Sequence, residues 1–461
     1  MGVFEKINRI HFVGIGGSGM SGIAEVLLNT GYRVSGSDIS ESETTRRLEK
    51  LGAEIFIGHA AENIRDPHVV VTSSAVPEDN CEVLRARSRN ITVIPRAEML
   101  AELMRLKYSV CVAGTHGKTT TTSMAGLVLS KADLDPTVVI GGRLKNLASG
   151  VKLGKGQYLV AEADESDGSF LHFTPTIAVV TNIDNDHMEY YGSMRRLRGI
   201  FTEFINKVPF YGFSVLCGDD RNLMSIIPDL GRPYRTYGYG RDNFYRALDC
   251  KISPEESSYT AVSGGKEMGR ISIPVSGKHN ILNSLAACAV GLEMGIGFDT
   301  VAEALSEYQG VGRRLEKAGE ASGIVFYDDY AHHPTAIRLS IESLKEMYPG
   351  RRLVVAFQPH RYSRTRDLYE DFAESLTGAD LVILTGIYPA SEKPIEGVTS
   401  RLIADAFTSP EKVTLASCSA APGILKEVLE EGDICLTLGA GDICQVLPEV
   451  MGRSCVDESN T

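Results

Sequence analysis

Basic residues are the minority charge in this chain, and the shortage excludes a class of function. Across 461 residues, 47 Lys and Arg stand against 59 Asp and Glu, a formal net charge of −12. Broad nucleic-acid binding needs a basic face, so none is expected, although a local basic pocket for an anionic substrate is still allowed. Paired cysteines are lacking as well. The nine cysteines are scattered, odd in number and without a CxxC pair, which predicts a reducing, cytoplasmic setting and no zinc site. No apolar run reaches 18 residues, and no long apolar segment precedes the first strand. Neither a membrane span nor a signal peptide is therefore expected. Internal repeats and low-complexity segments are missing too.

What is present is an ordinary globular composition, 43% hydrophobic and 23% charged, over a length too great for one core. Two or three domains are expected. Short apolar runs alternate with helical stretches: Ile10–Val13, Tyr32–Ser35, Ile55–Ile57, Val69–Thr72, Thr92–Ile94, Ser109–Ala113, Thr137–Ile140, Tyr158–Ala161, Ile177–Val180, Ile271–Val275, Gly323–Tyr327, Leu353–Phe357, Leu381–Thr385 and Ile434–Leu438. This βα repetition predicts α/β domains with mostly parallel sheets and ligands at the strands' carboxyl ends.

Polar residues collect at those ends. In YSVCVAGTHGKTTTT (Tyr108–Thr122) an apolar strand meets Gly114, Gly117, Lys118 and a run of threonines, and a helix follows. Glycines that turn N–H groups inward, a helix start, a lysine for the β- and γ-phosphates and a Thr119 hydroxyl for Mg²⁺ make a phosphate loop. The usual loop has glycine six residues before the lysine, where this chain has Val112. GIGGSGM (Gly14–Met20) is a G-x-G-x-x-G turn, and Asp38 stands where a ribose-binding acid would lie, so this segment alone suggests an NAD-dependent dehydrogenase. In EADESDGSF (Glu162–Phe170) the clustered carboxylates would repel one another without a cation. TNIDNDHMEYYG puts His187 among Asp184, Asp186 and Glu189, a metal-ligand or proton-transfer candidate. His279, Asn280 and Asn283 open a helix, GVGRR (Gly310–Arg314) reads as a hinge, DDYAHHP begins at Asp328, and QPHRYSRT carries Arg361 and Arg364. The two arginines suit a carboxylate or phosphate. Two further readings stand beside the dehydrogenase: an ATP-dependent ligase and a nucleotide-dependent switch. The crowd of polar residues far from the phosphate loop favours the ligase.

In this order, the motifs resemble the Mur ligases of peptidoglycan synthesis, from about residue 10 to residue 442, and most resemble the alanine-adding branch. The resemblance implies three domains. A Rossmann-like domain, residues 1–106, would bind UDP-N-acetylmuramate through Gly14, Gly16, Gly17, Ser18, Gly19 and Met20, with Asp38, His59, Ser73 and Ser74. A P-loop ATPase domain, residues 107–312, would bind ATP through Gly114, Thr115, His116, Gly117, Lys118, Thr119 and Thr120, with His279, Asn280, Asn283 and also Arg313. Mg²⁺ would be held by Thr119 and Glu165, and a second ion by His187. A Rossmann-like C-terminal domain, residues 313–461, would clamp L-alanine or the intermediate with Arg361 and Arg364, while His332, with Asp329 and Tyr330, would orient the incoming amine or the substrate. Lys118, Glu165, His187, His332, Arg361 and Arg364 form the expected catalytic set. The expected reaction adds L-alanine to the lactyl carboxylate through an acyl phosphate, by a monomer or weak homodimer.

The nearest rival within the family attaches a whole tripeptide to the same nucleotide sugar. It tends to carry Tyr after the metal-binding Glu and an aromatic-Asp-His-Ala sequence, where this chain has Ser166 and Asn185-Asp186-His187-Met188. Several family members also carry a carbamylated lysine, and here Thr202 stands at that distance.

Overall fold

Val- and Ile-rich runs flanked by glycines and helix caps become strands of three mainly parallel sheets. The computed structural model describes residues 8–73, 75–105, 107–140, 151–390 and 392–452, without the side chain of Ser18. The segment GGRLKN at 141–146, which reads as a loop in sequence, the boundary residue Leu106 and the polar tail 453–461 lie outside the described residues.

The first sheet has five parallel strands: β1 (Arg9–Val13), β2 (Arg33–Asp38), β3 (Glu54–Ile57), β4 (Val69–Thr72) and β5 (Thr92–Pro95). Their order is β3-β2-β1-β4-β5, so the chain changes direction across the sheet between β1 and β4. Helices α1 (Ser18–Asn29), α2 (Glu43–Lys50) and α3 (Cys81–Ser88) connect strands of this sheet, and α4 (Arg96–Met104) follows β5. Ligands of such sheets bind at the switch point, where the glycine turn after β1 and Ser73 after β4 emerge. Gly36 of β2 lies beside Phe12 of β1. A Cβ there would stand 2.8 Å from the Phe12 carbonyl oxygen and 2.6 Å from Cδ1 of Ile15, inside the glycine turn. Gly36→Ala is therefore expected to cost about 1–3 kcal/mol through overpacking and to lower the melting temperature by several degrees. An unchanged thermal transition would show that the turn can move away.

The second sheet has ten strands in the order β15-β14-β13-β12-β11-β10-β6-β9-β7-β8. They are β6 (Tyr108–Ala113), β7 (Thr137–Val139), β8 (Val151–Lys152), β9 (Tyr158–Glu162), β10 (Ile177–Val180), β11 (Phe213–Cys217), β12 (Tyr234–Gly238), β13 (Tyr245–Ile252), β14 (Ser257–Ser263) and β15 (Lys266–Ile273). β6 pairs in parallel with β9 and β10, and helix α5 (Lys118–Lys131) follows it. Val110, Cys111 and Val112 are all fully buried, as expected of a strand covered on both faces. The expected strand Ile271–Val275 proves to be the end of β15. Strands β11 to β14 had no sequence expectation. β13 reads YRALDCKI and exposes much of its second half, so it gives no continuous apolar signal.

The third sheet has six strands: β16 (Glu316–Ala321), β17 (Ile324–Asp329), β18 (Leu353–Phe357), β19 (Leu381–Leu384), β20 (Val413–Leu415) and β21 (Ile434–Leu438). Their order is β16-β17-β21-β18-β19-β20, and only the β16–β17 pair is antiparallel. Alternation sorts its core. Val325 and Tyr327 of β17 pack with Ile337, Ile341 and Leu344 on one face, while Phe326, Val354 and Ala356 pack with Leu425 and Val446 on the other. Asp328 and Asp329, expected in a loop, are the last residues of β17.

The chain forms two compact units. One comprises Met1–Cys250, Ser258–Ile273 and Ile281–Gln309. The other comprises Lys251–Ser257, Pro274–Asn280 and Gly310–Thr461. The first sheet and all of the second except Lys251 and Ile252 of β13 and Ser257 of β14 thus belong to one unit. No helix among the described residues is long and apolar enough to cross a membrane.

Candidate active site

In the first unit, β6 delivers the chain into a loop whose shape is fixed from two sides. Gly117 has φ +83°, and a Cβ there would lie 2.5 Å from Oδ1 of Asn283. Only glycine meets both conditions, a left-handed backbone and a side chain pressed against it. Asn283 Oδ1 also accepts the Thr121 hydroxyl at 3.1 Å, so Asn283 is joined to the loop from far along the sequence. On the other side the segment after β10 holds His116. Its N–H donates to Asn182 Oδ1 at 2.9 Å, and its carbonyl accepts Thr181 Oγ1 at 2.6 Å. Asp184 N–H donates to Thr115 Oγ1, and His116 Nε2 lies 2.9 Å from Asp184 Oδ2. Thr119 and Thr120 begin α5 and are buried.

Lys118 is the electrostatic centre of this unit. Its ammonium donates to Gly114 O at 2.7 Å and to both Glu165 oxygens at 2.8 and 3.0 Å. Burial works against its charge, but Glu165, Asp164 and Glu162 together hold its pKa above the ordinary lysine value. Burial raises the Glu165 carboxyl, with Lys118 pulling the other way. Asp164 is also pushed up by burial, but Lys118, the Ser166 N–H, Arg96 and His187 outweigh this and hold it below the usual range. Three carboxylates thus face one lysine ammonium, an excess of negative charge that suits a divalent cation with oxygen ligands.

The structure sets two acids of the stretch apart by their partners. Thr119 Oγ1 lies 3.1 Å from both oxygens of Glu162, the last residue of β9. Glu165 instead pairs with Lys118, and its carbonyl accepts the Tyr191 hydroxyl. Glu162 was legible only as one acid among several. His187 sits at φ +59° before the one-turn helix Met188–Tyr191. Such a backbone costs about 1–3 kcal/mol and persists where the surroundings impose it. Its ring nitrogens are 3.6 Å from Asp186 and 3.7 Å from Glu189. Oxygen donors from Thr119 and Glu162, with His187 acting on Asp164 and Glu165, fit the expected Mg²⁺.

The glycine turn after β1 is closed by its own neighbours. Gly14 and Ile15 N–H donate to Ser37 O, and Gly16 N–H donates to Asp38 Oδ2 at 2.8 Å. The acid that spacing places at a ribose therefore also braces the turn. Gly17 caps α1, Gly19 and Met20 lie in its first turn, and Met20 is buried. Ser73 follows β4. Ser74 and the Ser18 side chain lie outside the described residues. His59 Nδ1 is 3.0 Å from Ser37 Oγ and 3.6 Å from Glu82.

Glu82 has no counterpart in the sequence reading. Although fully buried, it accepts His11 Nε2 at 2.9 Å, Ser37 Oγ at 2.7 Å, Asn63 Nδ2 at 2.7 Å and Ala60 N–H at 3.1 Å. Burial pushes its carboxyl up, but the bonds from His11, Ser37 and Asn63 hold it at about 2. This carboxylate fixes the segment that carries His59. In sequence it looks like an acid in a helix's first turn, an ordinary dipole partner.

At the opposite, amino-terminal edge of the second sheet lies a cavity of about 210 Å³ lined by Tyr108, Tyr158, Tyr211 and Met294. It is remote from the loops.

In the second unit, Arg313 Nε donates to Asp328 at 2.8 Å, its Nη2 donates to Gly439 O at 2.6 Å, and its guanidinium lies over Tyr330. Most of its donors are committed within this unit. Arg314 covers the same ring at 5.2 Å. His332 Nδ1 is 2.9 Å from Tyr330 O, and its ring meets His360 edge-on at 5.4 Å. Arg361 has φ +72°, and its N–H donates to Tyr388 O. Arg364 is buried one turn into the helix Tyr362–Leu376. Asp329 is buried, and burial raises its carboxyl against the pull of Ser340 and Arg314. Tyr330, His332, Arg361 and Asp329 therefore share the carboxyl edge of the third sheet. His279 and Asn280 belong to this unit as well. Burial lowers the His279 imidazole to about 4, so it is neutral at pH 7. Its Nδ1 is buried without a hydrogen-bond partner among the described residues, which suits a group that awaits a ligand. Asn280 Nδ2 donates to Ser276 O at 2.7 Å.

Comparison with known proteins extends this geometry over the whole chain. The model described as "Mur ligase family, catalytic domain" matches residues 9–108. "Mur ligase middle domain" matches 112–291, and "Mur ligase, glutamate ligase domain" matches 313–441. A UDP-N-acetylmuramate–L-alanine ligase of Geobacter sp. (strain M21) is 54% identical over 447 residues, 96% of this chain and 97% of the relative. The crystal structure of the UDP-N-acetylmuramate–alanine ligase MurC of Thermotoga maritima superposes with a TM-score of 0.80 at 33% identity, covering 96% of this chain and 98% of that one. A murein peptide ligase of Psychrobacter arcticus 273-4 shares the fold, with a TM-score of 0.72 at 23% identity over 97% of this chain and 100% of that one. The chain belongs to the Mur ligase family.

Proposed function

We propose that the protein joins L-alanine to the lactyl carboxylate of UDP-N-acetylmuramate, with conversion of ATP to ADP and phosphate, in peptidoglycan-precursor synthesis in the cytoplasm. The observation that carries this reading is the full-length, 54% identity to a relative named for that activity. The Lys118 loop supplies the matching chemistry.

A carboxylate is a poor electrophile, so it must first be activated. One lactyl oxygen attacks the γ-phosphorus of ATP, forming a C–O–P linkage as the bond to the ADP oxygen breaks. The amine of alanine then adds to the acyl carbon, and the tetrahedral intermediate collapses with loss of phosphate. The first step brings anions together, and such steps are accelerated by fixed positive charge. Lys118, held by Gly114 and Glu165, would lie along the β- and γ-phosphates. Bound Mg²⁺ would neutralise phosphate charge, held by Thr119 and Glu162 with His187 nearby. Arg361 and Arg364 would bind the alanine carboxylate, and His332 with Tyr330 and Asp329 would orient its amine. His279 and Asn280 would meet the adenosine, and Asn283 would keep the loop in shape.

Residues 1–106 would serve the nucleotide sugar, 107–312 ATP, and 313–461 the amino acid. The family models' boundaries support this division. Ser166, Asn185 and Met188, in place of the tripeptide-adding pattern, favour a single amino acid. Thr202, which donates back to Arg198 O within its own helix, supports a site without a carbamylated lysine.

The test is phosphate release with UDP-N-acetylmuramate and ATP, comparing L-alanine with a tripeptide. Turnover with alanine is expected. Turnover with tripeptide alone would replace this reading with the recycling activity. No turnover with either would return the nucleotide-dependent switch.

A further inference from the structure

Arg96 has no part in the chemistry derived above, yet its position calls for a role. It is the first residue of α4, the end of a helix where a cation is disfavoured by the dipole. Its half-buried side chain reaches the start of α1. A Cβ built on Gly19 would stand 2.6 Å from its Nη1 and 3.0 Å from its Cζ. Gly19 is thus the residue that lets a guanidinium lie against the glycine turn. None of the hydrogen bonds or ion pairs found among the described residues uses that guanidinium. On the other side, its helix α4 packs against the short turn Ser169–His172, at the end of the acidic stretch after β9. Both flanking segments belong to the first unit. One is the turn expected to face the substrate's diphosphate, and the other borders the loop expected to hold the γ-phosphate. A planar guanidinium with unused donors at this junction suits an oxyanion.

We propose that Arg96 is a substrate-binding residue that takes an oxyanion of the nucleotide sugar, at the seam between the glycine turn and the acidic stretch after β9. The oxyanion is a diphosphate oxygen or the lactyl carboxylate awaiting activation. The proposal rests on the function proposed above and adds the residue that links the sugar-nucleotide turn to the ATP loop.

The test compares the full-length enzyme with Arg96→Gln, Arg96→Lys and Gly19→Ala. Arg96→Gln should raise the KM for UDP-N-acetylmuramate by about 10- to 100-fold, leaving the KM values for ATP and alanine within about threefold. Arg96→Lys should fall between wild type and Arg96→Gln. Gly19→Ala, which puts a methyl where the guanidinium lies, should reproduce Arg96→Gln and guards against a folding failure of that variant. Calorimetric titration identifies the oxyanion. Equal weakening of UDP and UDP-N-acetylmuramate assigns the diphosphate, and weakening of UDP-N-acetylmuramate alone assigns the carboxylate. Unchanged nucleotide-sugar affinity in Arg96→Gln, or equal losses for all three substrates, overturns the proposal. Failure of the proposed function would instead appear in the wild-type enzyme.

Discussion

Lys118→Ala is expected to lower kcat/KM for phosphate release by about 10³-fold or more, the scale seen when a fixed charge on a transferring or developing anion is removed. Three carboxylates face this ammonium. Without it, the loop offers the triphosphate net negative charge, so both ATP binding and the transfer step should suffer. The variant should still fold, and the reason lies in Glu165. Stranding a buried carboxylate costs about 3–5 kcal/mol. Burial already raises the Glu165 carboxyl, and removing Lys118 raises it further, so the acid takes up a proton instead. A carboxyl whose folded pKa lies above its unfolded value favours the folded state at low pH and loses that contribution as pH rises through the shifted range. The melting temperature of Lys118→Ala should therefore approach that of wild type at pH 5 and fall behind it at pH 8. Activity within tenfold of wild type would remove Lys118 from the reaction. A melting deficit independent of pH would show that Glu165 finds another partner.

The legible parts of the molecule were those whose chemistry is local. Val69–Thr72, Ile177–Val180, Leu353–Phe357 and Ile434–Leu438 match their expected strands residue for residue, because interior parallel strands are continuous apolar runs. The Gly-Lys-Thr turn was equally clear, since loop, lysine and helix start are consecutive. Strands β12 to β14 were not read because polar residues interrupt them (YRTYG, YRALDCKI and SSYTAVS), whereas the buried FSVLC of β11 was legible and was missed. The Glu82 network was hidden for another reason. His11 and Glu82 meet across 71 residues, and each is unremarkable in its own segment. Arg96 and Gly19 meet in the same way. Asp38 shows the limit of spacing as a guide. Its distance from the glycines suggested a ribose acid and a dinucleotide, whereas one of its oxygens accepts the Gly16 N–H. The phosphate loop and acidic stretch, unexplained by an NAD site, correctly outweighed it.

Glu162→Gln and Glu165→Gln are expected to fail in different ways, and the difference decides which acid holds the metal. Both belong to one acidic stretch, and the family resemblance implies Glu165 as the partner of Thr119 on the metal. In the structure Glu162 shares the Thr119 hydroxyl and Glu165 is joined to Lys118. Glu162→Gln keeps an acceptor for Thr119 but removes the charge a divalent cation needs. Its Mg²⁺ half-saturation should rise by about 10- to 100-fold, and excess Mg²⁺ should restore much of the rate. Chelation by EDTA should abolish turnover in wild type and variant alike. Glu165→Gln leaves the Thr119–Glu162 pair in place and loosens Lys118 instead. Its kcat should fall by about 10²-fold at every Mg²⁺ concentration, with half-saturation little changed. A large shift in Mg²⁺ dependence in Glu165→Gln, with none in Glu162→Gln, would return the metal to Glu165. That result would mean that binding ATP moves Lys118 off the carboxylate it now holds and frees that acid for the ion. The two substitutions therefore separate a carboxylate that binds metal from one that holds the lysine in place.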